Sequence, residues 1–385
     1  MNRALSELIR VSRVVGKDTS LVQGGGGNTS VKTEDGRYMY IKASGTALRD
    51  MDGGRGWRRL RLDSVLAIIK DKSISQLETQ SREMEVVKRL FVACDDAVGG
   101  ESRPSVEAHL HAFLDKCVIH LHPVAVLAYC CAKNGRVELE KLFKGEKFPP
   151  VWVPYTDPGF MLAKKVAKAV VNYQKRFGAK PTILFLQKHG LLVSAESSDA
   201  ALGLLRKVIN RCMSKLRQPK GKKIKPVSQQ VVADAKQCIR GAFFEATGQR
   251  PAIGYFYDDA IAGFWSQRDA RKLLLPGALT PDELLYANGP AMWVEDCDSK
   301  QIAGRLRRQL KRGRKPSVAF LVKGVGLFVA GGKKIAITVR DIVESSFFIR
   351  TNALRLGGIL ALSKRGRDFI NKWESEAFRK KLANG

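Results

Sequence analysis

The sequence predicts an α/β fold followed by a second, smaller α/β unit, on the strength of three observations. Strand-like apolar runs alternate with segments whose apolar residues recur at helical spacing. The composition, 44% hydrophobic and 27% charged, is that of an ordinary globular chain, and 385 residues are enough for two domains. A polar, proline-bracketed break past the middle of the chain separates the two halves.

The strands and helices of the first half are expected in a regular order. Charges interrupt the apolar residues of the first ten positions, which is typical of an amphipathic helix and not of a signal peptide. Strands are predicted at residues 38–42, 116–122 and 182–187. Helices are predicted at residues 62–69, 83–94, 161–177 and 198–216, the last beginning at the capping pair Ser198-Asp199.

The break in the pattern divides the chain into domains. Residues 219–227 are basic and polar and lie between prolines, which predicts a linker. The domains expected on either side of it are residues 1–218 and residues 228–385.

The second domain repeats part of the first. Residues 180–193 are echoed by residues 315–329, and a weaker echo pairs the residues around His122 with those around Thr280. No histidine follows His189 in the chain. The second half is therefore predicted to be a degenerate related α/β domain without metal ligands; a chance match or a shared strand–turn geometry is the alternative.

The net charge of +30 raises the possibility of a nucleic-acid partner. The lysines and arginines are spread along the whole chain, and no nucleic-acid-binding motif accompanies them. A solvated basic surface that also attracts anionic substrates is therefore favoured. Seven cysteines without a Cys-x-x-Cys pair suit reduced thiols, and no segment is long and apolar enough to span a membrane, so a cytoplasmic location is expected.

Three histidines form the most informative pattern in the sequence. His120 and His122 lie two positions apart on a predicted strand and therefore project from one face. His189 follows another predicted strand and precedes a glycine. Catalytic Zn²⁺ is commonly bound by three imidazoles, with a fourth coordination position that is open or filled by a carboxylate. These residues are therefore predicted to bind one metal ion. The alternative is a set of buried, hydrogen-bonded histidines.

A second His-x-His pair is expected to be structural. His109 and His111 lie in a segment that begins with Pro104 and Ser105 and continues with helix-forming residues. On a helix, positions i and i+2 diverge, so these two side chains cannot share an ion. They are predicted to pack or to support the ligands from behind.

Glu107 is the candidate acid or base. It begins that helix, shortly before the strand that carries His120. A carboxylate there can bind the metal or transfer a proton beside it. The alternative is a glutamate that only interacts with the helix dipole.

Two loops of small residues are candidates for binding an oxyanion. The first contains Gly24 to Gly27 followed by Asn28, and the second contains Ser44 and Gly45. Glycines let backbone N–H groups approach a phosphate, and Asn28 adds a donor. Neither loop has the spacing of a P-loop or of a dinucleotide-binding turn, and two tight hairpin turns are the alternative.

Taken in order, these motifs resemble those of the class II aldolase/adducin family. The series is Gly-Gly-Asn-Thr-Ser, Ala-Ser-Gly-Thr, Pro-Ser-x-Glu, His-x-His-Pro, Pro-Tyr-Thr-Asp-Pro-Gly and Lys-His-Gly-Leu, over roughly residues 1–215. The family includes zinc-dependent fuculose-1-phosphate and rhamnulose-1-phosphate aldolases. The layout of the second half resembles the aldolase part of bifunctional rhamnulose-1-phosphate aldolase/dehydrogenases.

The resemblance implies a fold, a cofactor and a set of roles. The fold would be a three-layer α/β/α domain with a largely antiparallel sheet, and the protein a homo-oligomer such as a tetramer. One Zn²⁺ per chain would bind His120, His122 and His189, with Glu107 as catalytic acid/base. The residues implied to bind the substrate phosphate are Asn28, Ser44, Gly45 and Ser105.

The implied function is cleavage of a ketose 1-phosphate to dihydroxyacetone phosphate and an aldehyde. Two departures from the family bear on it: Val106 replaces a second serine, and the tyrosine that small aldolases borrow from a neighbouring subunit has no clear counterpart. The alternatives are a sugar-phosphate epimerase or dehydratase of the same family, and a non-catalytic adducin-like binding protein. A scaffold would need neither the three histidines nor Glu107.

Overall fold

The protein is described by a computed structural model that covers residues 2–96, 102–217 and 227–373. Apart from Val227, the predicted linker lies outside the described residues. In the part of the chain that is described, no helix is both long and apolar enough to cross a bilayer. All seven cysteines are free thiols.

The first half is built on one seven-stranded sheet in the order β3-β2-β1-β4-β7-β6-β5. Its strands are β1 (Asn28–Lys32), β2 (Tyr38–Lys42), β3 (Trp57–Arg61), β4 (Cys117–Leu121), β5 (Val151–Val153), β6 (Ile183–Leu186) and β7 (Gly190–Ala195). Every neighbouring pair is antiparallel except β5 and β6. The largely antiparallel sheet expected from the sequence is confirmed.

Helices cover both faces of this sheet, so the predicted three layers are present. The helices are α1 (Arg3–Gly16), α2 (Leu62–Lys70), α3 (Lys72–Gln76), α4 (Thr79–Val92), α5 (Ala108–Ala112), α6 (Val124–Cys130), α7 (Gly135–Leu142), α8 (Phe160–Phe177) and α9 (Ser198–Met213). Helices α1, α6, α7 and α9 share one apolar core with the sheet. Helices α2, α3, α4, α5 and α8 share the other.

Strand β4 shows how the sequence directs side chains to the two cores. Ile119 and Leu121 belong to the core beneath α1 and α6, whereas Val118 belongs to the core beneath α5. Because side chains alternate along a strand, His120 shares the face of Val118 and lies on the α5 side. The apolar run around the histidines is therefore a strand buried on both faces.

The second half contains a four-stranded sheet in the order β8-β11-β10-β9. Its elements are α10 (Gln229–Thr247), β8 (Ile253–Phe256), α11 (Asp259–Trp265), α12 (Ala270–Leu273), α13 (Pro281–Ala287), β9 (Met292–Val294), α14 (Ser299–Lys311), β10 (Ala319–Val322), β11 (Gly326–Ala330), α15 (Lys333–Arg355) and α16 (Lys364–Lys372). Strands β9 and β10 are parallel, and the other neighbours are antiparallel.

This smaller sheet matches the run β4-β7-β6-β5 of the larger one in strand order and in strand direction. In this match, β8 corresponds to β4. The pairing of His122 with Thr280 expected from the sequence is therefore wrong, because Thr280 precedes α13 and does not follow β8. The division into two related domains stays a prediction that this topology favours.

The two halves pack against each other through shared apolar residues. Leu279 and Ile349 of the second half belong to the core beneath α1 and α6. Backbone hydrogen bonds also cross, from Lys133 N–H to the carbonyl of Gly358 at 2.9 Å and from Leu360 N–H to the carbonyl of Cys131 at 2.8 Å.

A buried ion pair holds the start of α13 against α15. The Arg350 guanidinium donates to both carboxylate oxygens of Glu283, at 2.9 and 3.1 Å, and to Ser346 Oγ at 2.8 Å. It also donates to the backbone carbonyls of Leu273, Pro276 and Gly277. Both charged side chains are almost fully buried, at 0% and 2% exposure. A single arginine thus fixes the loop that leads into α13.

We expect Arg350→Ala to lower the free energy of unfolding by about 3–5 kcal/mol, because it leaves the Glu283 carboxylate buried and unpaired. Urea unfolding followed by far-ultraviolet circular dichroism measures the change. Arg355→Ala, at an exposed position near the end of the same helix, is the matched control and should change stability by less than about 0.5 kcal/mol. Equal stability of the two variants would contradict the role given to Arg350.

Candidate active site

Three imidazoles meet at one end of the large sheet. His120 lies within β4, His122 follows its last residue, and His189 lies in the turn between β6 and β7. All three are buried, and one ligand atom from each lies within 4.8 Å of the others. Within the described residues, this is the cluster able to hold a metal ion.

The tight turn that presents His189 depends on the glycine after it. A Cβ on Gly190 would lie 2.3 Å from the carbonyl oxygen of Leu121 and 2.8 Å from His122 Cδ2. Those distances are far too short for any side chain, so only glycine lets β7 approach β4 this closely. The His-Gly pair singled out in the sequence is thus a requirement of packing at the site.

Hydrogen bonds leave the Nε2 atoms of two histidines free to bind a cation. His120 Nδ1 lies 3.0 Å from the carbonyl oxygen of Leu191, to which it donates. His122 Nδ1 donates to Asp282 Oδ2. Each Nε2 atom therefore carries a lone pair. His122 Nε2 is buried without a hydrogen-bond partner among the described residues.

These donors fit a divalent metal ion. The Nε2 atoms of His120 and His189 are 3.3 Å apart. In a tetrahedral site with Zn–N bonds of about 2.0–2.1 Å, two ligand nitrogens are about 3.3–3.4 Å apart, which this separation matches. Burial holds the pKa of His120 well below its usual value, although the Glu107 carboxylate opposes this, so the imidazole stays neutral as a ligand must.

Glu107 lies directly beside this cluster. Its Oε1 is 3.2 Å from His189 Nε2, and its Oε2 is 3.7 Å from His120 Nε2. Burial alone would raise the pKa of the carboxyl, but the neighbouring imidazoles of His120 and His189 hold it well below its usual range. The group is an ionised carboxylate that can bind a metal or accept a proton.

The helix expected from Pro104 onward is shorter than predicted. Only Ala108–Ala112 is helical, and Glu107 sits just before it in a turn. The physical reason is that Pro104 pairs with Ala43 in an isolated β-bridge, so the chain is extended at Pro104 and cannot begin a helix there. The turn aims Glu107 at the histidines.

His109 and His111 lie outside the metal cluster, as expected. His111 Nδ1 is 2.8 Å from Ser30 Oγ, and its ring meets that of His120 edge-on at 6.5 Å between centroids. Burial lowers the pKa of His109 to about 4 and that of His111 to about 3, so both are neutral packing residues.

Most of the residues assigned to the phosphate come together with the histidines. A cavity of about 30 Å³ is lined by Ser44, Gly45, Ser105, Glu107, His122 and His189, among others. Asn28 lies behind this lining and donates from Nδ2 to Ser105 Oγ. Its role as a direct phosphate ligand stays a prediction. The contact that is observed is with Ser105, whose hydroxyl it orients.

Residues 6–216 match the family described as the class II aldolase and adducin N-terminal domain. The chain belongs to the class II aldolase/adducin family. The match spans the seven-stranded sheet and nearly all of its helices, which is the half that contains the three clustered histidines and Glu107.

The chain is similar to three known proteins. The chain is 26% identical to the uncharacterized oxidoreductase YuxG of Bacillus subtilis over 425 aligned positions, 99% of this chain and 59% of that protein. It thus spans only about three fifths of that relative. It is 32% identical to the N-terminal class II aldolase domain of a conserved protein from Thermoplasma acidophilum, covering 56% of this chain and 95% of that one, with a TM-score of 0.46. It is 15% identical to an L-fuculose-1-phosphate aldolase from Thermus thermophilus, covering 55% of this chain and 92% of that one, with a TM-score of 0.33.

Three residues at this candidate site were missed in the sequence. Lys42 is buried and donates from Nζ to the carbonyls of Gly25 and Gly27, at 2.8 and 3.0 Å. The sequence did offer a signal for Lys42, because a lysine that ends an otherwise apolar strand just before a turn of small residues indicates a functional position. Asp282 and Trp373 line the cavity from the second half, and no local pattern marked either of them.

Proposed function

We propose that this protein is a zinc-dependent aldolase that cleaves a ketose 1-phosphate of the rhamnulose or fuculose type. The products would be dihydroxyacetone phosphate and an aldehyde. The observation that carries the proposal is the position of Glu107, 3.2 Å from His189 Nε2, next to a cavity lined by Ser44 and Ser105. A proton-transferring carboxylate, a metal site and an anion pocket within one cavity are what this reaction needs.

His120, His122 and His189 would hold the Zn²⁺. Three neutral nitrogen donors leave one position of a tetrahedral ion open for substrate oxygens or for Glu107. When bound, the ion supplies Lewis-acid polarisation of the substrate's ketone oxygen and neighbouring hydroxyl.

Glu107 would transfer the proton at the carbon next to the carbonyl. In the direction of synthesis, its carboxylate takes a proton from the hydroxymethyl carbon of dihydroxyacetone phosphate, the electron pair left behind attacks the aldehyde carbon, and the aldehyde oxygen takes up a proton, delivered from Glu107 through water, to become a hydroxyl. In cleavage, the carboxylate takes up that hydroxyl proton through water as the hydroxyl becomes the aldehyde carbonyl, the carbon–carbon bond breaks with its electron pair on the ketone fragment, and Glu107 passes the proton to that carbon.

Ser44, Gly45 and Ser105 would hold the phosphate through hydroxyl and backbone N–H donors. Lys42 adds a positive charge behind the glycine-rich loop, which favours an anion there. Val106 lines the same cavity without offering a hydroxyl, so this pocket has one donor fewer than that of the small aldolases it resembles. The cavity of about 30 Å³ must also widen, because ligand pockets usually hold at least about 300 Å³.

A screen for cleavage products tests the proposal. Zinc-reconstituted protein is incubated with a panel of ketose 1-phosphates of differing stereochemistry, and dihydroxyacetone phosphate is measured with a coupled NADH-dependent reductase. Release of dihydroxyacetone phosphate from one member, abolished by a chelator and restored by zinc, supports the aldolase. Interconversion of stereoisomers without release would indicate an epimerase, and loss of water a dehydratase. Absence of any of the three reactions, with zinc bound, would favour a non-catalytic adducin-like protein.

A further inference from the structure

We infer that Asp282, in the half of the chain without histidines, is a positioning residue for the metal ligand His122. The inference rests on the metal site of the proposed function but not on the reaction carried out there. If it holds, residues from both halves of the chain form the candidate active site.

The contact between the two residues is direct and buried. Asp282 Oδ2 accepts a hydrogen bond from His122 Nδ1, and the two side chains are only 6% and 8% exposed. A carboxylate removed from water to this extent is costly unless it is paired. Its partner, His122, is in turn held as the tautomer that presents Nε2 to the other imidazoles.

The local sequence aims Asp282 at the histidine. Thr280 caps α13 by accepting from Glu283 N–H at 3.2 Å, and Pro281 occupies the first turn. Glu283 accepts from Leu279 N–H at 2.6 Å and pairs with Arg350. Asp282 thus stands on a helix start that is fixed on both sides.

The glycine-rich loop closes over this pair. A Cβ on Gly26 would lie 3.1 Å from Asp282 Oδ2 and 3.3 Å from His122 Nδ1. A side chain at this position would press on the two hydrogen-bonded atoms, so the loop lies directly against the pair. A buried carboxylate increases the electron density on the imidazole more than an exposed one does.

The consequence is that metal retention depends on the second half. A carboxylate behind a metal-bound histidine typically strengthens metal affinity by about 10–100-fold. The second half has no histidine of its own. Its contribution to the metal site is the support of a ligand that belongs to the first half.

Zinc affinity measured by competition with a chromophoric chelator tests this inference on the full chain. Asp282→Ala should weaken zinc binding about 10–100-fold, and Asp282→Asn, which keeps an acceptor but removes the charge, should fall between it and the wild type. Asp259→Ala is the matched control, because Asp259 is exposed in the first turn of α11 in the same half. It should leave zinc affinity unchanged.

A second readout separates positioning from a merely structural role. In the zinc-loaded, ¹⁵N-histidine-labelled protein, the His122 Nδ1 proton should give a far-downfield resonance in the wild type that moves in Asp282→Asn while the other histidine signals stay. Folded Asp282 variants with wild-type zinc affinity would overturn the inference, as would a wild-type protein that binds no zinc. If zinc is bound as described but no ketose 1-phosphate is cleaved, the proposed function fails and the inference stands.

Discussion

Glu107→Gln is expected to reduce the rate of aldol cleavage about a hundredfold or more, as the loss of a proton-transferring group usually does. Glutamine keeps the size and the hydrogen-bonding capacity of the side chain but cannot take a proton from carbon. The variant should keep its fold, its metal and most of its affinity for the phosphate, because three imidazoles and a separate set of donors remain. The measurements are kcat and KM for cleavage, the zinc content and the circular dichroism spectrum.

The design of this experiment isolates the proton transfer. Glu34→Gln, which neutralises a largely exposed carboxylate on the surface, controls for the loss of one negative charge from the chain and should leave kcat unchanged. A drop in zinc content equal to the drop in kcat would indicate that Glu107 serves as a metal ligand only. Cleavage by Glu107→Gln at close to the wild-type rate would rule out the role assigned to the carboxylate.

His122→Ala should strip the metal from the protein and abolish activity with it. The variant removes one of three nitrogen donors, and it also leaves the Asp282 carboxylate buried without its partner. Metal content per chain, measured by atomic emission after dialysis, should fall from about one to near zero.

His109→Gln provides the matched control for that loss. His109 is also a fully buried imidazole, but it lies outside the metal cluster. Its replacement should affect stability while leaving the metal in place. Full metal occupancy in His122→Ala, or equal loss of metal from both variants, would contradict the assignment of the ligands.

Much of the first half is predictable because its patterns are local. The two-residue spacing of His120 and His122 was enough to predict that both side chains project to one side, although β4 ends at Leu121, one residue before His122. Residues 38–42 form the expected strand, and residues 161–177 lie within the helix Phe160–Phe177. These features follow from the alternation of side chains along strands and the periodicity of helices.

The parts that could not be predicted depend on contacts between distant residues. Asp282 lies 160 positions from His122, and its sequence context describes an ordinary helix start. The side chain of Lys42 is held by hydrogen bonds to two backbone carbonyls of the glycine-rich loop, which lies before β1 in the chain. The short helix after Glu107 reflects a β-bridge made by Pro104, which residue propensities do not report.

These contacts change how the second half is interpreted. The absence of histidines predicted a degenerate domain without metal ligands. Pro281 and Asp282 at the start of α13, with Trp373 after α16, line the cavity next to Glu107. The second half thus faces the proposed reaction directly, and a truncation after residue 217 should remove part of the site.

Hydrogen exchange into dihydroxyacetone phosphate tests the central proposal most directly, because it requires no knowledge of the aldehyde. Zinc-loaded protein is incubated with dihydroxyacetone phosphate alone in deuterated water, and the hydroxymethyl signal is followed by proton NMR. We expect one hydrogen on that carbon to be replaced by deuterium in the wild type, with exchange lost in Glu107→Gln and after removal of zinc. A zinc-loaded, folded wild-type protein that leaves both hydrogens in place would contradict the assignment of Glu107 and the three histidines to an aldolase site.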